Sequence, residues 1–427
     1  MNNKRPQTLR ILGSMTGTSC DGIDAACIEV GIDGWAPLWS ATAGYPAALR
    51  KRVLSLQEPH HKTTTREVLE LDRDLGEWYG RVLNEMIESH PLAQKPHVVA
   101  NHGQTVAHFP SSQNTGAGMT WQMGDPTRIV RQTGLTTITR FRDGDLASGG
   151  QGAPLVSLFH SMLAERLDPE KKGIAFHNIG GISNLTYVSP PSPRFVRGEI
   201  VAFDTGPGNA WIDAATERAT QGKSKFDRGG KRAALGTADM RTVRAILKNK
   251  YFSAPAPKST GRDDFPFQML RSKTRATGND LIATATQVTI ESIAMAYEQC
   301  ILRSGRPLGT VFVCGGGAQN PTLMQGLRDR LPGLRFNDLT DFDLDPQLIE
   351  SQAFAFFGWM ALMGQPIGGH WTGVRGFGSP AHIVPGPNWQ EVLTLSWEMR
   401  SLPKKIVHTH PVRESFRSAA VLNRART

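Results

Sequence analysis

Apolar and polar positions along this chain fall into blocks that read as strands, tips and helices. Leu9, Ile11 and Leu12 open a short buried strand. The run breaks at residues 13–19, GSMTGTS, and resumes as GIDAACIEV at 22–30, a second run able to pair with the first. A strand, a Gly/Ser/Thr tip and a returning strand make a hairpin whose tip offers backbone N–H groups and hydroxyls to an anion. Glycines let that backbone approach a phosphate without Cβ interference. Asp21 adds a carboxylate suited to a magnesium ion, which prefers oxygen ligands and keeps several waters. No Gly-Lys-Ser/Thr follows, so this is not a Walker loop. On these residues alone, a Gly-rich hairpin without a ligand is an equal alternative.

Residues 63–89 place Val68, Leu69, Leu71, Leu75, Trp78, Val82, Leu83 and Ile87 at helical spacing, with Thr64 or Thr65 as N-cap. A short strand at 97–100 is expected to end at Asn101-His102-Gly103-Gln104-Thr105, where open α/β folds present polar residues to ligands. His102 by itself reads equally as a satisfied core histidine. Next come Gln122, a candidate substrate contact, and Asp125, a natural cap for a helix running through Arg131. A strand at 136–141 leads into Arg142-Asp143-Gly144-Asp145 and the glycines at 148–154. Two acids, an arginine and several glycines together point to a site-lining loop. A helix at 155–163 is expected to carry the chain between domains.

The second half repeats this plan. An apolar stretch at 173–176, a Gly-rich tip at 177–184 containing Gly180 and Gly181, and a strand at 185–188 mirror the opening hairpin. A further strand at 200–203 is expected to deliver Asp204 at its end. The Pro-rich loop 254–263 then brings Lys258, Ser259, Thr260 and Arg262. A long helix is expected at 280–302, and a buried strand at 310–314 ends in Gly315-Gly316-Gly317. Three glycines before a helix starting near Pro321 suit packing against a flat base or ribose. Residues 350–362 form a last apolar helix.

At 427 residues the chain is too long for one core, so two large domains are expected. No apolar run approaches the ~18–20 residues that span a bilayer. The basic start, MNNKRPQTLR, has no following apolar region, so no secretory signal is expected. Cys20, Cys27, Cys300 and Cys314 have no zinc spacing and read as free thiols in a reducing compartment. The net charge of +10 raises the question of nucleic acid, but part of the excess is C-terminal and no nucleic-acid motif accompanies it. A basic surface also suits an acidic small substrate.

Taken together, eight segments in order resemble the anhydro-N-acetylmuramic acid kinase family, a branch of the actin/hexokinase/Hsp70-like ATPases. They are MTGTSCDGID at 15–24, HGQTVAH at 102–108, QMGD at 122–125 and FRDGDLASGGQGAPL at 141–155. NIGGISNL at 178–185, FDTGPGN at 203–209, PAPKSTGRD at 255–263 and CGGGAQNP at 314–321 complete the set. The resemblance runs from about residue 9 to residue 387. It implies an α/β fold of two ribonuclease-H-like (actin-like ATPase) domains with an interdomain cleft. The expected boundaries are 1–150 joined by a C-terminal helical stretch at 345–387, then 151–344, with 388–427 a basic C-terminal extension.

The same resemblance implies ATP and Mg²⁺ as cofactors. Gly17, Thr18, Ser19, Cys20, Asp21, Gly22, Ile23 and Asp24 would hold the ATP phosphates, with Asp21 at the metal. Gly180 and Gly181 would form the opposing loop, and Gly315, Gly316, Gly317 and Asn320 would lie near the adenosine. His102, Gln122, Arg142, Asp145 and Glu350 would line the sugar site, and Asp204 matches the general base. The family reaction opens the 1,6-anhydro ring with water while O6 is phosphorylated. A cytoplasmic homodimer without nucleic-acid or membrane partners is what the family implies. Alternatives are a kinase of another anhydrosugar such as levoglucosan, transfer to an ordinary sugar hydroxyl, and a nucleotide-gated binding module. The chain departs from the family at Arg140, where Asp is usual, and at Cys20, where Leu is usual.

Overall fold

The computed structural model describes residues 8–18, 20–31, 34–58, 61–110, 118–192, 198–261, 264–342, 344–374 and 380–400. Ser19 and Arg262 therefore lie outside the described residues. The chain divides into two units, one reaching Phe159 and resuming at Gln347, the other spanning His160–Pro346.

In the first unit β1 (Leu9–Thr16), β2 (Gly22–Gly31) and β3 (Gly34–Gly44) form an antiparallel meander. Next to β1 lie β4 (Val98–Phe109) and then β6 (Thr136–Thr139), both parallel to the strand before them, while β5 (Met119–Met123) folds back antiparallel on β4. In the second unit β7 (Ile174–Ile179), β8 (Ile182–Val188) and β9 (Ile200–Pro207) repeat the meander. Beside β7 lie β10 (Thr310–Cys314) and β11 (Arg335–Asp338), again parallel. Each sheet is thus a three-stranded meander extended by parallel strands from its first strand, the ribonuclease-H-like order. The fold class is the expected one. A late strand, β12 (His382–Val384), adds to the β6 edge of the first sheet.

The helix Thr65–Glu88 starts where the sequence places it. Thr64 accepts from Glu67 N–H while the Glu67 carboxylate accepts from Thr64 N–H, a reciprocal cap. Leu71, Leu75, Trp78 and Leu83 are buried, but Leu69, expected on the same face, is 63% exposed. The helix Ile349–Leu362 lies against β1. A Cβ on Gly13 would come within 2.0 Å of the Ser351 carbonyl, so only glycine permits this approach. In the second unit the helix Gly278–Ala296 is buried on most sides, packing with Trp211, Val311 and Leu323. It ends in a wider π-type turn at Tyr297–Ile301.

Several boundaries differ from expectation, and for the strands the reason is shared: polar residues that bond inside a sheet hide a strand. β4 does not stop at Ala100 but carries Asn101 to Thr105 within it, where Ser14 donates to Asn101 Oδ1 at 2.8 Å. Likewise Asp204 lies inside β9, not beyond it. The tip of the second hairpin shrinks to Gly180-Gly181, because β7 and β8 run on through Asn178, Ile179 and Ser183. The helix after the first unit's glycine loop is Ser157–Leu167, two residues later than expected. Part of the C-terminal extension is helical, Trp389–Arg400, with Val392 and Met399 buried and Arg400 donating to the Leu362 carbonyl at 2.8 Å. Among the described residues no helix is long and apolar enough to cross a membrane. The four cysteines are free thiols.

Candidate active site

The first hairpin's tip is a tight turn. Cys20 N–H donates to the Gly17 carbonyl at 3.1 Å, and Gln104 Nε2 donates to the same oxygen at 3.3 Å. Because a trans peptide points its N–H away from its C=O, Thr18 N–H faces the other way, outward. Cys20 and Ile23 are fully buried in the core, so they offer a ligand backbone only. Burial raises the Cys20 thiol to about 11, which keeps it protonated at neutral pH. Gly22 pairs with Gly44, and Asp24 with Met15 and Thr42, inside the sheet. Arg50 Nε donates to the Cys20 carbonyl at 3.0 Å, and its Nη2 lies 3.5 Å from the largely exposed Asp21 carboxylate. Among the described residues no three His, Cys, Asp or Glu side chains converge on a metal position.

A second cluster in this unit surrounds Arg142. Its Nε donates to His102 Nε2 at 2.9 Å and its Nη1 to the Gly152 carbonyl at 2.7 Å. Burial, then Arg142, hold His102 well below the usual imidazole range. His102 is therefore neutral, with Nδ1–H donating to the Gly103 carbonyl at 2.9 Å and Nε2 accepting. Arg142 Nη2 donates to no described group. Asp145 is spent structurally: Oδ2 accepts from Gly152 N–H at 2.6 Å and Oδ1 from Thr372 Oγ1 at 2.5 Å. Arg140, in a left-handed conformation, pairs with Asp143 at the start of the short helix that carries Asp145. Glu350 lies in the first turn of its helix; burial of the carboxyl pushes it up, Arg142 pulls it back and Asp24 raises it further.

Around this cluster, buried amide atoms lack partners. Asn101 Nδ2, Gln104 Oε1, Gln122 Oε1 and Gln352 Oε1 make no hydrogen bond. Gln122 donates only to Thr120 and Thr105 hydroxyls, at 2.7 and 3.3 Å. Buried polar atoms are nearly always satisfied, so such orphans mark places where a ligand or water belongs. Sequence reasoning named Gln122 but gave no role to Asn101 or Gln104; their place in the polar run after Ala100 was the available signal.

In the second unit the glycine elements meet. The Gly180 and Gly181 carbonyls accept from Asn209, Gly208 and Ala210 N–H groups at 2.7 to 3.2 Å, so the first N–H groups of the helix Asn209–Ala219 are already used. The Gly180 carbonyl faces that helix, so Gly181 N–H points away from it. Gly315, at φ 80°, comes so close that a Cβ would lie 2.4 Å from Asn178 Oδ1, and Gly317 packs on Ile179. A Cβ on Gly316 would meet only Asn209 Nδ2, at 3.4 Å. Asn320 caps the helix Pro321–Arg330, its Oδ1 accepting from Leu323 N–H at 3.1 Å. Below that cap a groove of about 540 Å³ is lined by Ala283, Gln287, Thr322 and Gln325 among others.

Asp204 is the notable carboxylate here. Its Oδ2 accepts from Thr260 N–H at 2.8 Å, its N–H donates to the Lys258 carbonyl at 3.0 Å, and its carbonyl accepts from Tyr251 Oη at 2.7 Å. Oδ1 takes no hydrogen bond from the described residues. Burial pushes the carboxyl up to about 7, while Thr260 N–H and Lys258 pull it back. A carboxylate held through one oxygen, open at the other and titrating near neutrality can accept a proton from water.

The sequence model described as anhydro-N-acetylmuramic acid kinase matches residues 9–380. Several relatives carry that name, among them these three. The protein of Idiomarina loihiensis is 34% identical over 82% of this chain and 91% of its own length. That of Shewanella amazonensis is 37% identical over 82% and 90%, and that of Gloeobacter violaceus 35% over 86% and 95%. Among solved structures, a Schistosoma mansoni hexokinase complexed with glucose aligns at TM-score 0.39 and 9% identity, over 83% of this chain and 86% of that one.

Proposed function

The chain belongs to the anhydro-N-acetylmuramic acid kinase family, and from that premise we propose that it is an ATP-dependent kinase of 1,6-anhydro-N-acetylmuramic acid. Water attacks C1, the C1–O6 bond breaks, and O6 takes the γ-phosphoryl group, giving N-acetylmuramic acid 6-phosphate and ADP. Asp204 takes the water's proton through its open Oδ1 while Thr260 N–H steadies the other oxygen. That half-satisfied carboxylate is the observation that carries the reading.

In the first unit the outward Thr18 N–H, and in the second the outward Gly181 N–H, are donors suited to phosphate, and Gly315 to Gly317 leave a flat approach for the adenosine. Asn320 supports that site as the cap of the adjoining helix. The Nη2 edge of Arg142 suits an anionic group such as the lactyl carboxylate, with Gln122 and Glu350 beside the sugar and His102 and Asp145 fixing the arginine and its loop. Mg²⁺ needs few protein ligands, and Asp21 would hold it through its largely exposed carboxylate, which lies 3.5 Å from Arg50 Nη2. A metal held there would supply positive charge to the transferring phosphoryl group. The substrate is a peptidoglycan product, so the reaction belongs to cell-wall recycling, in the cytoplasm and by a homodimer.

The test is incubation with ATP, Mg²⁺ and the anhydro sugar in ¹⁸O-labelled water, followed by mass spectrometry. The expected product carries ¹⁸O at C1 and phosphate at O6. Phosphate without label would mean transfer to an ordinary hydroxyl. ATP turnover indifferent to sugar would point to a nucleotide-gated module.

A further inference from the structure

One side chain outside the assigned set holds the base in place. Lys258 sits in the loop that follows the helix Lys250–Ser253. Its Nζ donates to the Tyr251 carbonyl at 2.9 Å and the Phe252 carbonyl at 3.3 Å, both within that helix. The ammonium also lies 4.9 Å from the centre of the Tyr251 ring and 5.6 Å from that of Phe203, within cation–π range. Its own carbonyl receives Asp204 N–H, and two residues on, Thr260 N–H reaches Asp204 Oδ2. Tyr251, bound to Lys258 through its carbonyl and ring, closes the circuit by donating its hydroxyl to the Asp204 carbonyl. The ammonium thus ties the Tyr251 end of this circuit to the loop that bonds Asp204.

We propose that Lys258 is a positioning residue for the Asp204 base: it locks the loop that presents Thr260 N–H and supplies the positive charge that favours the ionised carboxylate. The proposal rests on Asp204 being the base. Its geometry is one-sided, because β9 is an edge strand whose only sheet neighbour among the described residues, β8, places uncharged Asn184 opposite Asp204. The remaining charged or titratable groups are few. Tyr251 comes from the short helix and feels Asp204. Cys300 comes from the π-type turn and acts on Lys258. Asp264 accepts from Thr260 Oγ1 and Gly261 N–H at 3.0 and 2.8 Å. Among these described groups Lys258 is the sole cation acting on Asp204.

The experiment compares kcat against pH for wild type, K258M, K258R and D204N, with ATP affinity measured alongside. K258M keeps the aliphatic stem over the rings but loses charge and donors. Its kcat is expected to fall about tenfold or more, with ATP affinity unchanged and the acid limb of the profile moved up by about one pH unit. K258R, which keeps a cation, should hold the limb near its wild-type position. K258M/D204N should be no slower than D204N, because the lysine acts through the aspartate. Should K258M not fold, K258Q, with an N–H donor but no charge, is read the same way. A K258M limb at the wild-type pH, or a double variant well below D204N, overturns the role of Lys258. Full turnover by D204N instead removes the base assignment itself.

Discussion

The two sheets share one strand order, yet each spends its principal carboxylate differently. In the first unit Asp145 has both oxygens engaged, by Gly152 N–H and Thr372 Oγ1. In the second, Asp204 has one oxygen engaged and one open. Burial raises both carboxyls, but the Asp145 hydrogen bonds answer that burial on both sides while the Asp204 bonds answer it on one. A saturated carboxylate fixes loops; a half-saturated one retains a lone pair for chemistry. The two tips differ in the same sense. The first is braced by side chains, Gln104 from its own sheet and Arg50 from the helix Ala47–Leu56, whereas the second is held by helix N–H groups received on its carbonyls.

The sharpest way to break this contrast is D204N. Loss of a positioned base costs ~10²–10⁴-fold in rate, so kcat should fall by that amount while ATP affinity, read by calorimetry, stays within a factor of two or so. In the wild type, kcat should rise with pH and level off above about 7, where Asp204 is ionised. A flat profile between pH 5 and 8 would contradict a base of that kind.

Arg142 comes next. R142A removes the donors to His102 and Gly152 together with the free Nη2 edge. Charge-assisted bonds are worth about 1.5–3 kcal/mol each, so KM for the anhydro sugar should rise about 10–100-fold, with KM for ATP little changed. An equal rise in both would show a general collapse of the loop instead.

Much of this was readable in the residues, and the misses have physical causes. The Thr64–Glu67 cap and the Asp125 cap depend on neighbours within four positions, so sequence spacing reveals them. β3 was hidden because Pro37 interrupts it. It survives because it is an edge strand and Pro37 sits at a register shift opposite Ile28. Asp145 was legible as a site residue, but its role was not: Thr372 lies 227 positions away. For Asp204 the resemblance gives the role but not the geometry, because its partners are backbone atoms of a loop that sequence shows only as Pro-rich.

D145A tests the saturated carboxylate. It leaves Gly152 N–H buried without an acceptor and frees Thr372, at a cost of about 2–3 kcal/mol. The melting temperature should drop by roughly 5–10 °C, across the whole range from pH 5 to 8. Unchanged melting with lost activity would make Asp145 a direct substrate contact.

The smallest effect has the opposite sign and depends on pH. Asp204 titrates near 7 in the folded chain, against about 3.9 in an unfolded one. Between those values the folded state holds a proton that the unfolded state has released. The stabilisation is therefore complete below about 4 and is lost as pH rises through 7. The amide of D204N never ionises, so the variant escapes that loss. D204N should melt close to wild type at pH 5 and higher at pH 8, by about 3–6 °C, a modest gain because the carboxylate is partly open to water. Differential scanning calorimetry at the two pH values reads the difference directly. A D204N chain less stable than wild type at pH 8 would mean the ionised carboxylate is welcome where it lies, and the strain that makes it basic would have to come from elsewhere.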